Sequence, residues 1–238
     1  MIKGLVVSDL HMFTGRTRAE YVLGEIYGAL RDCDLLVLNG DIFDFRWTTL
    51  STVSNTIKEA VAWLENITLQ YPKLRVHYVQ GNHDCSHRFS AALDTLTTRA
   101  PGFFWHRDCL FIENAVFLHG DCVHRKVGAK GLEAYRKPWK NVRKKGRAAN
   151  ACYGMLMKSG IVEAAPKLYF RPERMARRIL SYLDGQDSRP GTGVEHVFVG
   201  HTHIPFQDFS YDGKLFHNTG CALFRNRFNL LRFEMQGN

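Results

Sequence analysis

Side chains that bind divalent cations follow several short apolar stretches of this chain. Asp9 and His11 come just after the run Ile2–Val7, and Asp41 comes just after the run Leu35–Leu38. The arrangement recurs further on, and the full set of candidate metal ligands is Asp9, His11, Asp41, Asn82, His119, His201 and His203. Carboxylate, amide and imidazole groups without a thiolate suit Mn²⁺, Fe, Co²⁺ or Zn²⁺, so the residue types predict a metal site and leave the metal open.

The spacing of these residues indicates that two cations share the site. In extended backbone, residues two apart face the same way, so Asp9 and His11 can present two ligands to one cation. Asp41 has two carboxylate oxygens and can contact two cations at once. Two cations about 3.5–4 Å apart can clamp a phosphoryl oxygen and lower the pKa of bound water from 15.7 towards about 7. We therefore predict hydrolysis of a phosphate ester without a serine or cysteine nucleophile.

Each motif has an ordinary structural explanation when it is taken alone. Gly40-Asp41 favours a turn, Gly81-Asn82-His83-Asp84 is compatible with a loop, and a histidine such as His119 often ends a strand. Five such segments nevertheless follow predicted strands, and ligands in open α/β sheets gather beyond the carboxyl ends of strands. Their common position favours one shared site over coincidence.

Alternating strands and helices must position these loops in the first part of the chain. Apolar runs predict strands, and apolar positions three and four residues apart predict helices. The predicted elements are strand Ile2–Val7, helix Thr17–Leu30, strand Leu35–Leu38, helix Ser54–Leu69, strand Leu74–Val79 and helix Phe89–Thr98. This order is typical of an α/β fold with a largely parallel sheet.

Short strands dominate the rest of the chain, apart from one helical insertion. Hairpin turns are predicted at Glu113-Asn114 and at Asp212-Gly213. The predicted strands are Phe103–His106, Cys109–Glu113, Ala115–His119, His196–Val199, Phe206–Tyr211, Lys214–Asn218 and Phe228–Phe233. The insertion follows the third of them and should break at Pro138, Gly146, Gly160 and Pro172. We expect one domain over residues 1–238, with the insertion at residues 125–190.

Composition limits which folds and which cellular compartments are expected. The chain has 238 residues, of which 45% are hydrophobic, so a single domain with a substantial core is expected. No apolar run approaches the roughly 18–20 residues that span a bilayer. The N-terminus shows no signal-peptide body, and the six cysteines include no Cys-x-x-Cys pair. We therefore expect a cytoplasmic protein with reduced thiols.

The order of the motifs resembles that of the calcineurin-like metallophosphoesterase superfamily. The residues that carry the resemblance are Asp9-x-His11, Gly40-Asp41-x-x-Asp44, Gly81-Asn82-His83-Asp84, His119 and Gly200-His201-x-His203. The resemblance implies an α/β protein built as a four-layer α/β/β/α sandwich, with two divalent cations, for which we expect Mn²⁺. One cation would be held by Asp9, His11, Asp41 and His203, and the other by Asp41, Asn82, His119 and His201.

The same resemblance implies roles for three further residues. His83 would stand beside the leaving group as general acid, a role typically worth about 10²–10⁴-fold in rate. Asp84 would lie behind His83, and Asp44 would act from outside the ligand set.

The insertion narrows the resemblance to one group of enzymes within the superfamily. Its segment Ala134-Tyr135-Arg136-Lys137-Pro138-Trp139, with the aromatic residues that follow Asp41, is similar to the UDP-2,3-diacylglucosamine hydrolases of bacterial lipid A synthesis. That similarity implies cleavage of a pyrophosphate into UMP and a diacylglucosamine 1-phosphate. It also implies a helical cap that holds the acyl chains, and peripheral contact with the inner membrane. One difference is that those enzymes commonly have Gly-Asn-Arg-Asp where this chain has Gly81-Asn82-His83-Asp84.

The net charge of +9 favours an anionic, phosphate-containing partner. Seven Lys or Arg residues lie between Arg136 and Arg147, and the apolar residues interleaved with or following them are Trp139, Val142, Tyr153, Met155, Leu156 and Met157. We expect a cap with an apolar underside and a cationic rim, which could also rest on anionic lipid. The alternative is a basic face that is merely solvated. Candidate phosphate contacts are Arg46, Lys126 and Lys137.

Other functions compete with a lipid-linked nucleotide substrate. A nuclease or general phosphodiesterase would use the basic insertion to track a nucleic-acid backbone, and its binding would weaken steeply as salt rises. No nucleic-acid-binding motif accompanies the charge, so this function ranks second. A protein phosphatase ranks lower, because no docking groove is evident. A non-catalytic scaffold is disfavoured because all seven candidate ligands are present.

Overall fold

Seven elements of the first half build one sheet and its helical cover. A computed structural model describes residues 1–124, 129–158, 171–185, 193–225 and 227–236. The elements are β1 Ile2–Val7, α1 Ala19–Leu30, β2 Leu35–Asn39, α2 Val53–Gln70, β3 Arg75–Val79, α3 His87–Arg99 and β4 Phe103–His106. Strands β1 to β4 are parallel and lie in chain order, which confirms the predicted α/β pattern.

A second sheet is formed mainly by the later strands. They are β5 Cys109–Ile112, β6 Ala115–Leu118, β7 His196–Val199, β8 Phe206–Tyr211 and β9 Lys214–Asn218, in the order β5-β6-β7-β9-β8. Both predicted hairpins are present, joining β5 to β6 and β8 to β9. Asp212 and Gly213 have φ of 50° and 69°, the left-handed pair that a tight two-residue hairpin turn requires. Strand β10, Leu231–Met235, returns to the first sheet beside β1.

The described helices of the second half are α4 Ala129–Lys140, α5 Arg147–Lys158 and α6 Pro172–Asp184, preceded by a short 3₁₀ turn at Asp121–His124. We refer to α4 and α5 as the cap helices. Helix α6 contributes more apolar residues to the core than α4 does. Its buried residues Met175 and Ile179 pack with Val116 and Val197 on the outer face of the second sheet. Leu132 of α4 belongs to the same cluster, and the insertion at residues 125–190 stays a prediction.

Three apolar clusters hold four layers together. Helices α1 to α3 pack on one face of the first sheet, where Leu38, Leu64 and Phe89 share a cluster. Val37 and Phe117 belong to a second cluster between the two sheets. The third lies under α6. Helix, sheet, sheet and helix follow one another, which confirms the four-layer α/β/β/α sandwich. Among the described helices, none has the length and apolar character needed to cross a bilayer.

Some boundaries differ from the prediction for identifiable reasons. Pro138 does not break α4, which continues to Lys140; the backbone hydrogen bond that a proline cannot donate is lost only in the final turn. The last strand begins at Leu231 and not at Phe228, because the preceding residues bond to the loop after β9, with Asn229 N–H donating to Thr219 O. The expected break at Gly160 falls outside the described residues.

Candidate metal centre

The loops after β1, β2, β3, β6 and β7 meet at one edge of the sandwich, where the two sheets lie side by side. Asn39, the last residue of β2, fixes this junction. Its Nδ2 donates to Leu118 O at 3.0 Å and to Phe198 O at 3.1 Å, which ties the first sheet to two strands of the second. The carboxyl ends of strands from both sheets therefore deliver their loops to one place, as the positions of the motifs predicted.

One group of donors consists of Asp9, His11 and His203. Oδ1 of Asp9 lies 3.2 Å from Nε2 of His203 and 3.8 Å from Nε2 of His11. The two imidazole Nε2 atoms are 3.3 Å apart. Ligand atoms from the three residues lie within 4.8 Å of one another, so a single cation could contact all three.

A second group consists of Asp41, His119 and His201, with Asn82 on the loop that contacts it. Nε2 of His119 lies 3.1 Å from Oδ2 of Asp41 and 3.3 Å from Nδ1 of His201. Oδ1 of Asn82 is buried and accepts no hydrogen bond from the described part of the chain. A buried amide oxygen without a donor is costly, and a cation is the partner that it lacks. This observation shows that the donor set fits a metal.

Backbone strain is concentrated at the candidate ligands. Five of them have positive φ: Asp9 at 52°, His11 at 47°, Asp41 at 52°, His201 at 63° and His203 at 58°. Each such residue costs on the order of 1–3 kcal/mol and persists only where the surrounding structure enforces it. The neighbouring loops supply that enforcement, because the N–H groups of Asp9 and His11 donate to the carbonyls of Gly40 and Asp41, both at 3.0 Å.

Two glycines allow the loops to approach so closely. Gly40 has φ of +83°, and a Cβ there would lie 2.5 Å from Nδ1 of His119. A Cβ at Gly81 would overlap Oδ1 of Asp41. The predicted turn at Gly40 is confirmed, and the glycine in each motif makes room for a ligand from a different loop.

Polar neighbours that the sequence did not reveal orient the candidate ligands. The Ser8 hydroxyl donates to Oδ2 of Asp9 at 2.5 Å. Nδ1 of His119 lies 3.2 Å from the carbonyl of Asn39, which leaves Nε2 of His119 to face Asp41. Such contacts fix the tautomer and direction of a ligating imidazole. Ser8 and Asn39 are short polar residues beside apolar strands, and nothing in their spacing distinguishes them.

The charges of the ligand cluster stabilise one another. Burial works to lower the pKa of His119, but the carboxylates of Asp41 and Asp9 outweigh it and raise that pKa to about 10. Burial works to raise the pKa of Asp41, but His119 and His83 hold it well below its usual range. A divalent cation would compete with protons for the same atoms, since ligating imidazoles must be deprotonated.

His83 lies beside the ligand cluster and is held by Asp44. Its Nδ1 is 3.0 Å from Oδ2 of Asp44, and 19% of its side chain is exposed. Burial works to lower the pKa of His83, but Asp44 and Asp41 outweigh it and raise the pKa above its ordinary value. With Nδ1 turned to a carboxylate that favours the protonated ring, Nε2 of His83 is the nitrogen available to a leaving group.

Asp84 does not lie behind His83, so the predicted support comes from Asp44 instead. The Asp84 carboxylate accepts hydrogen bonds from Tyr78 Oη at 2.6 Å, Gly81 N at 2.7 Å and Ile42 N at 3.0 Å. Burial and the nearby Asp41 raise the pKa of Asp84 to about 7. Asp84 therefore joins the loops after β2 and β3 and has no direct position for chemistry.

Asp44 also contacts Arg16, a residue that no sequence motif singled out. Nη2 of Arg16 lies 3.0 Å from Oδ2 of Asp44. The other Asp44 oxygen accepts hydrogen bonds from the backbone N–H groups of Arg46 and Trp47, at 3.1 and 3.0 Å. Asp44 thus orients both His83 and the loop that faces the cap helices.

Aromatic rings and arginines join the cap helices to the body beside His83. Trp139 of α4 packs on His83 with ring centroids 4.3 Å apart. Arg46 lies over the Trp139 ring at 4.8 Å, and Arg16 lies over the ring of Tyr153 from α5 at 4.1 Å. Trp47 and Tyr153 are stacked at 4.7 Å. The five residues that lie beside His83 here form what we call the aromatic wall: Arg16, Arg46, Trp47, Trp139 and Tyr153.

Some predicted cap residues lie elsewhere. Met155 and Leu156 are 65% and 43% exposed, so they do not belong to an apolar underside, whereas Val142 is buried. Arg46 is close to the site, Lys137 is exposed on α4, and Lys126 and the side chain of Met157 lie outside the described residues. The buried thiols of Cys85 and Cys122 serve packing; burial raises the pKa of Cys85 to about 12.

One family of known proteins matches most of this sequence. The sequence model of the family described as calcineurin-like phosphoesterase matches residues 2–205. A comparison with curated proteins found no match. Among solved structures, the chain is similar to a dimetal phosphatase from Danio rerio, with 11% identity, 97% of this chain and 91% of that chain covered, and a TM-score of 0.46. It is also similar to the phosphoesterase Yfce from E. coli (15% identity; 93% and 80% covered; TM-score 0.43). A third such structure is phosphopantetheinyl hydrolase from Mycobacterium tuberculosis, with 14% identity, 92% of this chain and 90% of that chain covered, and a TM-score of 0.44.

Proposed function

Because this chain belongs to the calcineurin-like phosphoesterase family and is a metal-dependent hydrolase of phosphoester bonds, we propose that it cleaves a phosphodiester or pyrophosphate with two cations that share Asp41. The observation that carries the proposal is that Asp41 belongs to two groups of close donors, one with His119 and His201 and one with His11 and His83, while His11 is shared with a third group. The other members of that third group are Asp9 and His203. The orphan oxygen of Asn82 supports a cation on the second side.

The ligands in the proposal divide between the two cations as their positions suggest. Asp9, His11 and His203 would hold one, and Asn82, His119 and His201 would hold the other, with Asp41 between them. When bound, such a pair supplies an activated water and neutralises charge on the phosphoryl oxygens. Mn²⁺ is our expected metal, and the donor set is equally compatible with Fe, Co²⁺ or Zn²⁺.

His83 would carry the proton that the leaving group needs. Asp44, 3.0 Å from Nδ1, favours the protonated form of the imidazole, and Arg16 in turn holds Asp44 in place. Trp139 covers one face of the ring, which restricts its rotation and excludes water from that side. General-acid catalysis of this kind is typically worth about 10²–10⁴-fold.

The finer proposal concerns the substrate, for which UDP-2,3-diacylglucosamine is our best candidate. The similarity of the cap segment supports it, and the aromatic wall lies beside His83, where a bulky substrate would meet the cap helices. Arg46 makes no ion pair among the described residues, and a guanidinium suits a phosphate. The exposed Met155 and Leu156 on basic α5 would suit peripheral contact with an anionic membrane. The products would be UMP and a diacylglucosamine 1-phosphate.

A substrate comparison tests this proposal. The protein is stripped with EDTA, reloaded with MnCl₂, and assayed on UDP-2,3-diacylglucosamine, on bis-p-nitrophenyl phosphate and on a single-stranded DNA oligonucleotide. We expect metal-dependent turnover of the diester and UMP release from the lipid-linked nucleotide. Cleavage of DNA with no UMP release would replace the lipid substrate by the nuclease alternative. Turnover that persists without metal would contradict the two-cation mechanism itself.

A further inference from the structure

Arg136 on α4 is a buried arginine whose hydrogen bonds are all satisfied. The residue is 2% exposed. Nε and Nη2 donate to the two carboxylate oxygens of Asp121 at 2.7 and 2.9 Å. Nη2 also donates to Gln80 O at 2.8 Å, and Nη1 donates to Arg107 O at 2.7 Å and Asp108 Oδ1 at 3.0 Å. A guanidinium has five N–H donors, and each of them has a partner here.

The partners of Arg136 lie next to one half of the candidate metal centre. Gln80 directly precedes Gly81-Asn82, and Asp121 follows His119 by two residues. Arg136 therefore fixes the two loops that carry Asn82 and His119 to each other. None of its hydrogen bonds within the described part of the chain reaches the loops of Asp9, His11 or His203.

Stability alone explains this arrangement poorly. Removing a charge pair from water is expensive, and replacing a buried pair by apolar residues is often neutral or stabilising. What the guanidinium adds is geometry, since its planar fork fixes several acceptors in one plane and a lysine cannot do so. The acceptors that it fixes belong to separate loops, and two of those loops carry ligands.

We propose that Arg136 is a positioning residue that sets the distance between Asn82 and His119, and thereby the affinity of the cation on that side. This inference rests on the proposed two-cation function. It extends the role of α4 beyond covering the site, because the same helix carries Trp139 against His83 and Arg136 beneath the ligand loops.

Titration of the stripped protein with MnCl₂, followed by calorimetry, tests the proposal. In Arg136→Lys we expect one Mn²⁺ to bind about 10–100-fold more weakly, the usual effect of losing a residue that orients a ligand, and the other to bind within about threefold of wild type. Electron paramagnetic resonance should show loss of the exchange coupling between paired Mn²⁺ ions. The isotherm should match that of Asn82→Ala and differ from that of His203→Ala.

Two further variants keep the test decisive. Arg107→Lys makes the same change at an exposed arginine that pairs with Glu133 of the same helix, and it should bind both cations normally. The double variant Arg136→Met/Asp121→Leu removes both buried charges together, and we expect it to fold and to show the same selective weakening.

Three results would overturn the proposal. The first is a folded Arg136→Lys protein that binds two Mn²⁺ with wild-type affinities. The second is an equal loss of affinity for both cations in Arg136→Lys and in the double variant. In either case the two-cation function would stand. The third is a wild-type protein that binds fewer than two cations, which would overturn the proposed function as well.

Discussion

The strand-end loops and the cap helices meet at His83, but they are built by different means. The loops consist of buried carboxylates and imidazoles whose backbones are strained and held by bonds from neighbouring loops. The cap helices contact His83 and Asp44 through stacked rings and arginines, and parts of them, such as Met155, are largely exposed. The loops therefore carry the candidate ligands, whereas the rings of the cap and the arginines that contact them border His83.

Replacing Asp41 should have the largest effect of any single change. In Asp41→Asn we expect kcat/KM on bis-p-nitrophenyl phosphate to fall by about 10³-fold or more, because several kcal/mol of charge stabilisation is lost with the shared carboxylate. Metal analysis of the dialysed protein should show fewer than two bound cations. The matched control is Asp212→Asn, an exposed aspartate that also has positive φ; its activity should be unchanged. Full activity in Asp41→Asn would contradict the conclusion that the strand-end loops carry the metal ligands.

His83 should matter next, and its effect should depend on the substrate. In His83→Gln we expect a loss of about 10²–10³-fold in kcat for a substrate with a basic leaving group. The loss should be much smaller for p-nitrophenolate, which departs without a proton. Exposed His87→Gln serves as the control. Equal losses on both substrates would mean that His83 holds the phosphate and does not donate a proton.

Metal affinity should rise with pH. His119 has a pKa raised to about 10, and it must lose its proton to bind a cation. Below that pH a cation competes with the proton, so the apparent affinity should increase about tenfold per pH unit for each proton released. Calorimetry with Mn²⁺ between pH 6 and 8, in buffers of different ionisation enthalpy, measures the protons released. Affinity that is independent of pH would show that His119 is not a ligand.

A change in the aromatic wall should have the smallest effect on activity, and that effect should depend on the size of the substrate. In Trp139→Leu we expect a loss of about threefold to tenfold, the usual worth of an aromatic pair, and a larger loss on a bulky lipid-linked nucleotide than on bis-p-nitrophenyl phosphate. Exposed Met155→Leu is the control. Identical losses on both substrates would mean that Trp139 acts only through His83.

The same contrast explains what could be predicted from the sequence. Asp9, Asp41 and His119 could be placed because each follows an apolar strand, and parallel strands bring their carboxyl ends together. The four-layer sandwich was predicted from the family resemblance that those motifs carry. Local patterns predicted the α1 to α3 region well, since buried strands alternate there with amphipathic helices.

Other features depended on side-chain directions that no local pattern contains. Asp84 is adjacent to His83 in sequence, and Asp44 belongs to the motif of Asp41. Only the folded loops decide which of the two carboxylates faces His83. Arg136 lies in a basic run that favours a solvated face, yet it is buried. Arg16 pairs with Asp44 across 28 residues of sequence. Such contacts arise from the packing of distant loops and became visible only in the structure.

The most direct measurement is anomalous diffraction at the manganese edge from crystals grown with MnCl₂. We expect two peaks about 3.5–4 Å apart, with one oxygen of Asp41 bound to each and Asn82 bound to only one. A single peak, or two peaks that do not share Asp41, would contradict this expectation.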